Sequence, residues 1–193
     1  SQLRSDWKAV YVNERIYCYG GRQQQATATY YATMQILTIS GLSWAIDSTG
    51  SGPGAIAAYA AAADTTNADT SGFWLHGGLA TGSAVSTNLF KYTISPAAWA
   101  TTSTGGPTLN GHGMAYVPGS VFDDSRPRLF IFGGTTTAAS AGGTDIVYCY
   151  DLTGNSWTND SASEGTGVSS AEAMGVGRRR RHGWVYNATS QKI

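Results

Sequence analysis

The sequence is short of charge. Lys, Arg, Asp and Glu together make up 12 % of its 193 residues, about half the usual share of roughly 25 %, and twelve positive side chains balance twelve negative ones. That balance disfavours a protein drawn to nucleic acid by its overall field. Cysteine is equally sparse: Cys18 and Cys149 are the only two, too few for a disulfide framework, and no Cys-x-x-Cys pair suggests zinc. No long apolar run occurs either. The longest weakly polar stretch, 52–63, is mostly Ala and falls far short of the roughly 18 to 20 apolar residues of a membrane span. The opening Ser-Gln-Leu-Arg has neither an initiator Met nor an apolar signal core, so the chain reads as processed or as part of a longer one.

Glycine and aromatic residues are abundant instead. Twenty-five Gly, six Trp, eleven Tyr and five Phe supply the large apolar surface of a folded domain. Their spacing is regular. Doublets Gly20-Gly21, Gly77-Gly78 and Gly133-Gly134 recur at intervals of 57 and 56 residues, each closing a short run such as Leu129-Phe-Ile-Phe132. A strand ending in Gly-Gly turns where φ is positive or where a side chain would strike neighbouring backbone. Trp44, Trp99 and Trp157 follow at 24, 22 and 24 residues, each preceded by seven residues by Leu37, Tyr92 or Tyr150. Turn signals Ser40-Gly41, Ser95-Pro96 and Thr153-Gly154 lie between, which makes each pair two antiparallel strands joined by a tight turn.

A third marker precedes each doublet: Ala9-Val-Tyr11-Val12, Ala57-Ala-Tyr59-Ala60, Met114-Ala-Tyr116-Val117 and, a fourth time, Trp184-Val-Tyr186-Asn187. Four short strands every 55 to 58 residues, with Gly, Ser, Thr and Pro connectors, describe propeller blades.

These residues resemble kelch repeats over almost the whole chain, the most specific features being the doublets, the segment from Tyr150 to Trp157, and Arg181-His182-Gly183. The resemblance implies an all-β kelch-type β-propeller segment, with three four-stranded blades at about 7–47, 55–100 and 111–158 and the start of a fourth at about 178–193. The period exceeds the roughly 50 residues usual for kelch, and 60–71 reads as a long connector. Such rings need about six or seven blades, and an isolated arc would expose an unpaired edge. The 193 residues are therefore expected to belong to a longer chain; self-assembly of several copies into a ring or fibre is the alternative.

Recurring Trp and Tyr are read as packing residues. Binding is expected on the face carrying the loops after the doublets and the interblade connectors: Arg22, Gln23, Gln24 and Gln25, Thr135 and Thr136, and the run Arg178, Arg179 and Arg180. The arginines suit carboxylates or phosphates, against the alternative of a solvated connector; Arg181, His112 and His182 read as framework. The three His lie in three different units without metal-ligand spacing. No cofactor and no catalytic residue is expected, and Gly41-Leu-Ser43-Trp-Ala45 lacks the last Gly of a nucleophile elbow. Some extracellular oxidases of the same superfamily, galactose oxidase among them, hold copper with Tyr and His, which leaves a copper oxidase as a further alternative with no residues assigned. Cys18 and Cys149 sit two units apart, beyond the roughly 7 Å reach of a disulfide, and read as buried thiols. The sequons Asn159-Asp-Ser161 and Asn187-Ala-Thr189 point to an N-glycosylated extracellular or cell-surface protein, a cytoplasmic adaptor being the alternative. The expected function is a non-enzymatic scaffold for a protein or glycan ligand.

Overall fold

A computed structural model describes residues 4–23, 27–47, 52–64, 72–138, 143–144, 146–159, 187 and 189–190. Its regular structure is β apart from short 3-10 turns at Thr81–Ser83 and Gly119–Val121. Three four-stranded antiparallel sheets account for most of it. Sheet I holds β1 (Ala9–Val12), β2 (Arg15–Tyr19), β5 (Met34–Thr38) and β6 (Ser43–Asp47) in that order. Sheet II holds β8 (Ala60–Asp64), β9 (Gly72–His76), β11 (Leu89–Thr93) and β12 (Ala98–Ser103). Sheet III holds β13 (Gly113–Val117), β14 (Arg128–Phe132), β15 (Val147–Asp151) and β16 (Ser156–Asn159). Two short pairs lie in the connectors, β3 (Arg22–Gln23) with β4 (Thr29–Tyr30) and β7 (Ile56–Ala57) with β10 (Leu79–Ala80).

The expected strand pairs are cross-strand partners: Leu37 faces Trp44, Tyr92 faces Trp99 and Tyr150 faces Trp157. In the third turn Asp151 shapes the chain, its Oδ1 accepting the N–H groups of Thr153 and Gly154, both at 2.8 Å. Such a self-bonded Asp is the ordinary chemistry of a tight turn.

The first strands β1, β8 and β13 lie side by side, and the sheets fan out from them to mostly exposed fourth strands β6, β12 and β16. One aromatic core fills the space between sheets I and II, with Tyr17, Tyr19, Phe73 and Tyr92 buried in it. A second, with Trp74, Leu89, Leu129 and Tyr150, fills the space between II and III. Cys18 and Cys149 are buried free thiols.

Two readings of the second unit need correction. Ala60–Asp64, part of the expected connector, is strand β8 itself; its alanines have little intrinsic strand preference, but their small side chains admit it between β1 and β13. Tyr59 is not the counterpart of Tyr11. Residues Asp6, Ala58 and Gly111 all have left-handed φ, between 54° and 65°, just ahead of a first strand. Counted from them, Tyr11 matches Ala63 and Tyr116, whereas Tyr59 matches Trp7 and His112. The expected fourth unit, 178–193, lies outside the described residues except for Asn187, Thr189 and Ser190.

Candidate binding face

A repeated joint, built largely from main chain, organises the face at the doublet end of the sheets. The Ala58 N–H donates to Asp6 O at 2.7 Å and the Gly111 N–H to Ala58 O at 2.6 Å, tying the left-handed residues of successive units together. The second Gly of each of the first two doublets donates to the next unit's connector: Gly21 to Ile56 O and Gly78 to Leu109 O, both at 2.8 Å. All six doublet glycines have positive φ. A Cβ on Gly20 or Gly77 would also stand 2.3 Å from the next unit's carbonyl oxygen, so both reasons for glycine apply at once.

Aromatic rings complete the joint. Between sheets I and II, the Tyr59 hydroxyl donates to Tyr19 O at 2.6 Å and accepts from the Lys8 N–H at 3.1 Å. Between II and III, the matching positions are His112 and His76, whose Nε2 and Nδ1 lie 3.0 Å apart with both rings fully buried. Trp157 packs on His76 with ring centres 5.0 Å apart, as Trp99 packs on Tyr19. Removal of one hydroxyl tests the joint: Tyr59→Phe leaves Tyr19 O and the Lys8 N–H short of a partner, and urea unfolding is expected to show a loss of about 1–3 kcal/mol.

The joint also fixes several candidate binding residues. The residue after each doublet bridges to the strip ahead of its own first strand, as Ser5 to Arg22, Ala57 to Leu79 and Asn110 to Thr135. Arg22 meets Asp6, its Nη2 2.7 Å and its Nε 2.8 Å from Oδ2. Thr135 is buried, its carbonyl accepting from Asn110 Nδ2 at 3.0 Å. Gln23 accepts from the Tyr31 hydroxyl at 3.1 Å, beneath the Arg4 guanidinium that covers the Tyr31 ring. Thr136 alone of this group is exposed. Gln24, Gln25, Arg178, Arg179, Arg180, Arg181 and His182 lie outside the described residues.

Where the first strands begin, a cleft of about 220 Å³ opens between Asp6, Trp7, Lys8, Ala58 and Gly111. Sequence reasoning missed it. Its signal lies in the corrected alignment: Asp6 stands where the other units have Ala58 and Gly111, and Lys8 where they have Ala60 and Gly113. The repeat therefore needs only small residues at both places, and the first unit departs from it with a carboxylate and an ammonium. Partial burial lowers the pKa of Lys8, with the Asp6 charge opposing the shift; the Asp6 carboxylate also pairs with Arg22, and Lys8 is the lysine of the cleft lining.

No family model matches the chain, and neither does any curated protein. Its chemistry must be read from the site itself. Among the described residues no group of three or more His, Cys, Asp or Glu side chains could hold a metal ion, and no helix is long and apolar enough to cross a membrane. Both sequon asparagines are exposed or near a strand end: Asn159 closes β16, and Asn187 accepts the N–H groups of Thr189 and Ser190 at 3.0 and 3.1 Å.

Proposed function

We propose that this chain is a kelch-type β-propeller segment acting as a non-enzymatic interaction scaffold, with a protein or glycan ligand seated over the cleft of Asp6, Lys8, Ala58 and Gly111. One observation carries the reading: the cleft lies where successive units meet, and the two charged residues in its wall occupy positions that the repeat itself fills with Ala or Gly. Framework accounts for Arg22 and Thr135, whereas nothing in the repeat calls for a lysine at residue 8. An ammonium on a rigid main-chain rim suits a carboxylate, a sulfate or a hydroxyl-rich sugar. The resemblance to kelch repeats supports the propeller, as do three consecutive four-stranded meanders joined along their first strands. The sequon asparagines Asn159 and Asn187, both exposed, support an extracellular or cell-surface setting.

Lys8→Ala gives a direct test, because it installs the side chain already present at Ala60 and so leaves the fold intact. Binders are selected on arrays of sulfated and sialylated glycans and acidic peptides, and are expected to lose at least about tenfold in affinity in the variant, the usual effect of removing a charged hydrogen bond. Binders indifferent to Lys8→Ala, or arrays without any binder, overturn the site. Stoichiometric copper in the purified protein overturns the non-enzymatic reading.

A further inference from the structure

Residue 7 departs from the repeat as residues 6 and 8 do. At the matched places Tyr59 and His112 are buried, and each spends a polar ring atom on the unit before it: the Tyr59 hydroxyl on Tyr19 O at 2.6 Å, His112 Nε2 on His76 Nδ1 at 3.0 Å. Trp7 turns its donor back on its own strip instead, with Nε1 3.2 Å from Arg4 O. Its Cβ and Cδ1 lie 3.2 and 3.3 Å from the point where a Cβ on Gly21 would stand, so the second doublet glycine makes room for the indole. The pyrrole edge is thereby anchored to main chain at two places, yet the side chain is 41 % exposed and lines the cleft. An indole whose one N–H is already satisfied asks nothing of a partner except a flat apolar surface to cover it.

Positive charge gathers around this ring. Residues 4–8 and 22 bring Arg4, Lys8 and Arg22 against the one carboxylate of Asp6, two positive charges in excess in a chain whose total is zero. Arg22 pairs with Asp6, and the Arg4 guanidinium lies over Tyr31 and donates to Gly20 O and Thr33 Oγ1 at 3.1 and 2.9 Å. Of the three cations, it is Lys8 that lines the cleft. The rim adds an acceptor: Ala58 O takes the Gly111 N–H, and the second lone pair of a carbonyl oxygen suits a hydroxyl.

A flat apolar ring, an ammonium and a carbonyl rim within about 220 Å³ call for a small partner. That volume is below the roughly 300 to 1,000 Å³ of sites that enclose a drug-sized molecule, and a peptide laid down as a strand or helix needs a row of pockets rather than one. A pyranose matches each feature. Its C–H face stacks on an indole, its hydroxyls donate to carbonyl oxygens, and a carboxylate or sulfate on the ring meets an ammonium. We infer that the ligand of the cleft is a single anionic pyranose, a uronic, sialic or sulfated sugar unit, stacked on Trp7 with its acidic group on Lys8. This assignment rests on the cleft being the binding site, as proposed above, and narrows its ligand: Trp7 is the platform that selects a sugar, Lys8 the charge that selects an acidic one.

The 193-residue chain is tested on arrays printed in matched sets, each acidic-sugar terminus beside its neutral counterpart, with acidic peptides on the same surface. Bound glycans are expected to end in an anionic pyranose and to bind at least about tenfold tighter than their neutral counterparts, the usual reach of a charged hydrogen bond, a preference that Lys8→Ala abolishes. Trp7→Leu is expected to cost about tenfold for every sugar bound, near the upper end of what an aromatic pair contributes, whereas Trp7→Tyr, which keeps a ring, retains most of the affinity. Binding in the carboxylated or in the sulfated set supports the assignment equally and names the acid. Acidic peptides bound through Lys8 but untouched by Trp7→Leu overturn the sugar and leave the cleft standing. Neutral sugars bound as tightly as acidic ones overturn the assignment, and so do equal losses in Trp7→Leu and Trp7→Tyr at an unchanged urea midpoint. Glycans indifferent to both Trp7 and Lys8, or arrays without a binder, overturn the cleft itself along with the sugar.

Discussion

Gly77→Ala is expected to be among the most damaging single substitutions in this protein, costing more than about 4 kcal/mol, at the far end of what point mutations do. Two independent effects add. Gly77 has φ of +64°, a conformation that costs a side-chain-bearing residue about 1–3 kcal/mol. The new Cβ would also lie 2.3 Å from Leu109 O and 2.8 Å from His112 Cε1, so sheets II and III must separate, loosening the core that holds Trp74, Leu89 and Tyr150. Gly82→Ala separates the effects: its φ is +82°, yet nothing lies within 4 Å of the Cβ position, and only the conformational cost of about 1 kcal/mol is expected. Urea unfolding of the two variants checks the difference; equal losses would mean that the joint does not bear on the backbone at Gly77.

Acid should loosen the same joint. In the unfolded chain His76 titrates near 6.5, and burial in the folded protein holds it at about 3. Between those values the unfolded chain binds one more proton, so stability present above pH 6.5 is lost as pH falls toward 3. At pH 4.5 the loss from this residue is about 3 kcal/mol, at 1.36 kcal/mol per unit of pKa difference. The joint between sheets I and II does the same work with Tyr19 and Tyr59, which carry no charge there. The double variant His76→Tyr, His112→Tyr transplants that pair, and its urea midpoint is expected to fall much less between pH 7 and pH 4.5 than that of the parent. Parallel curves for the two proteins would remove the histidine pair as the source.

Strand order, the tight turns and the cross-strand Trp pairs were legible in the sequence because they rest on glycine doublets, turn residues and aromatic period, all of which are local. The partnership of His76 with His112 was not. These residues stand 36 positions apart in units that sequence reading keeps separate, and the true alignment was hidden by Tyr59, a tyrosine that lies four residues ahead of the position it seemed to fill. Strand β8 escaped notice for a related reason: its run of alanines has the composition of a linker, and only its place between two other first strands gives those alanines something to pack against. Among the binding candidates, Arg22 looked free because its partner Asp6 comes from the strip before the first strand, which approaches only once Ser5 and Arg22 have paired.

The joints between sheets are closed by main-chain groups, with Gly21 and Gly78 donating to Ile56 and Leu109 and the left-handed residues linked in series. Side chains at the joint then need only fill space and satisfy its polar groups, as the Tyr59 hydroxyl does for the Tyr19 carbonyl and His112 does with His76. Each unit brings half of a standard coupling at either end. A duplicated stretch of about 56 residues would arrive ready to dock between its neighbours, and its ring pair could drift from phenol to imidazole without a change of architecture. Length in such a protein can grow by copying, while the identity of its parts wears away.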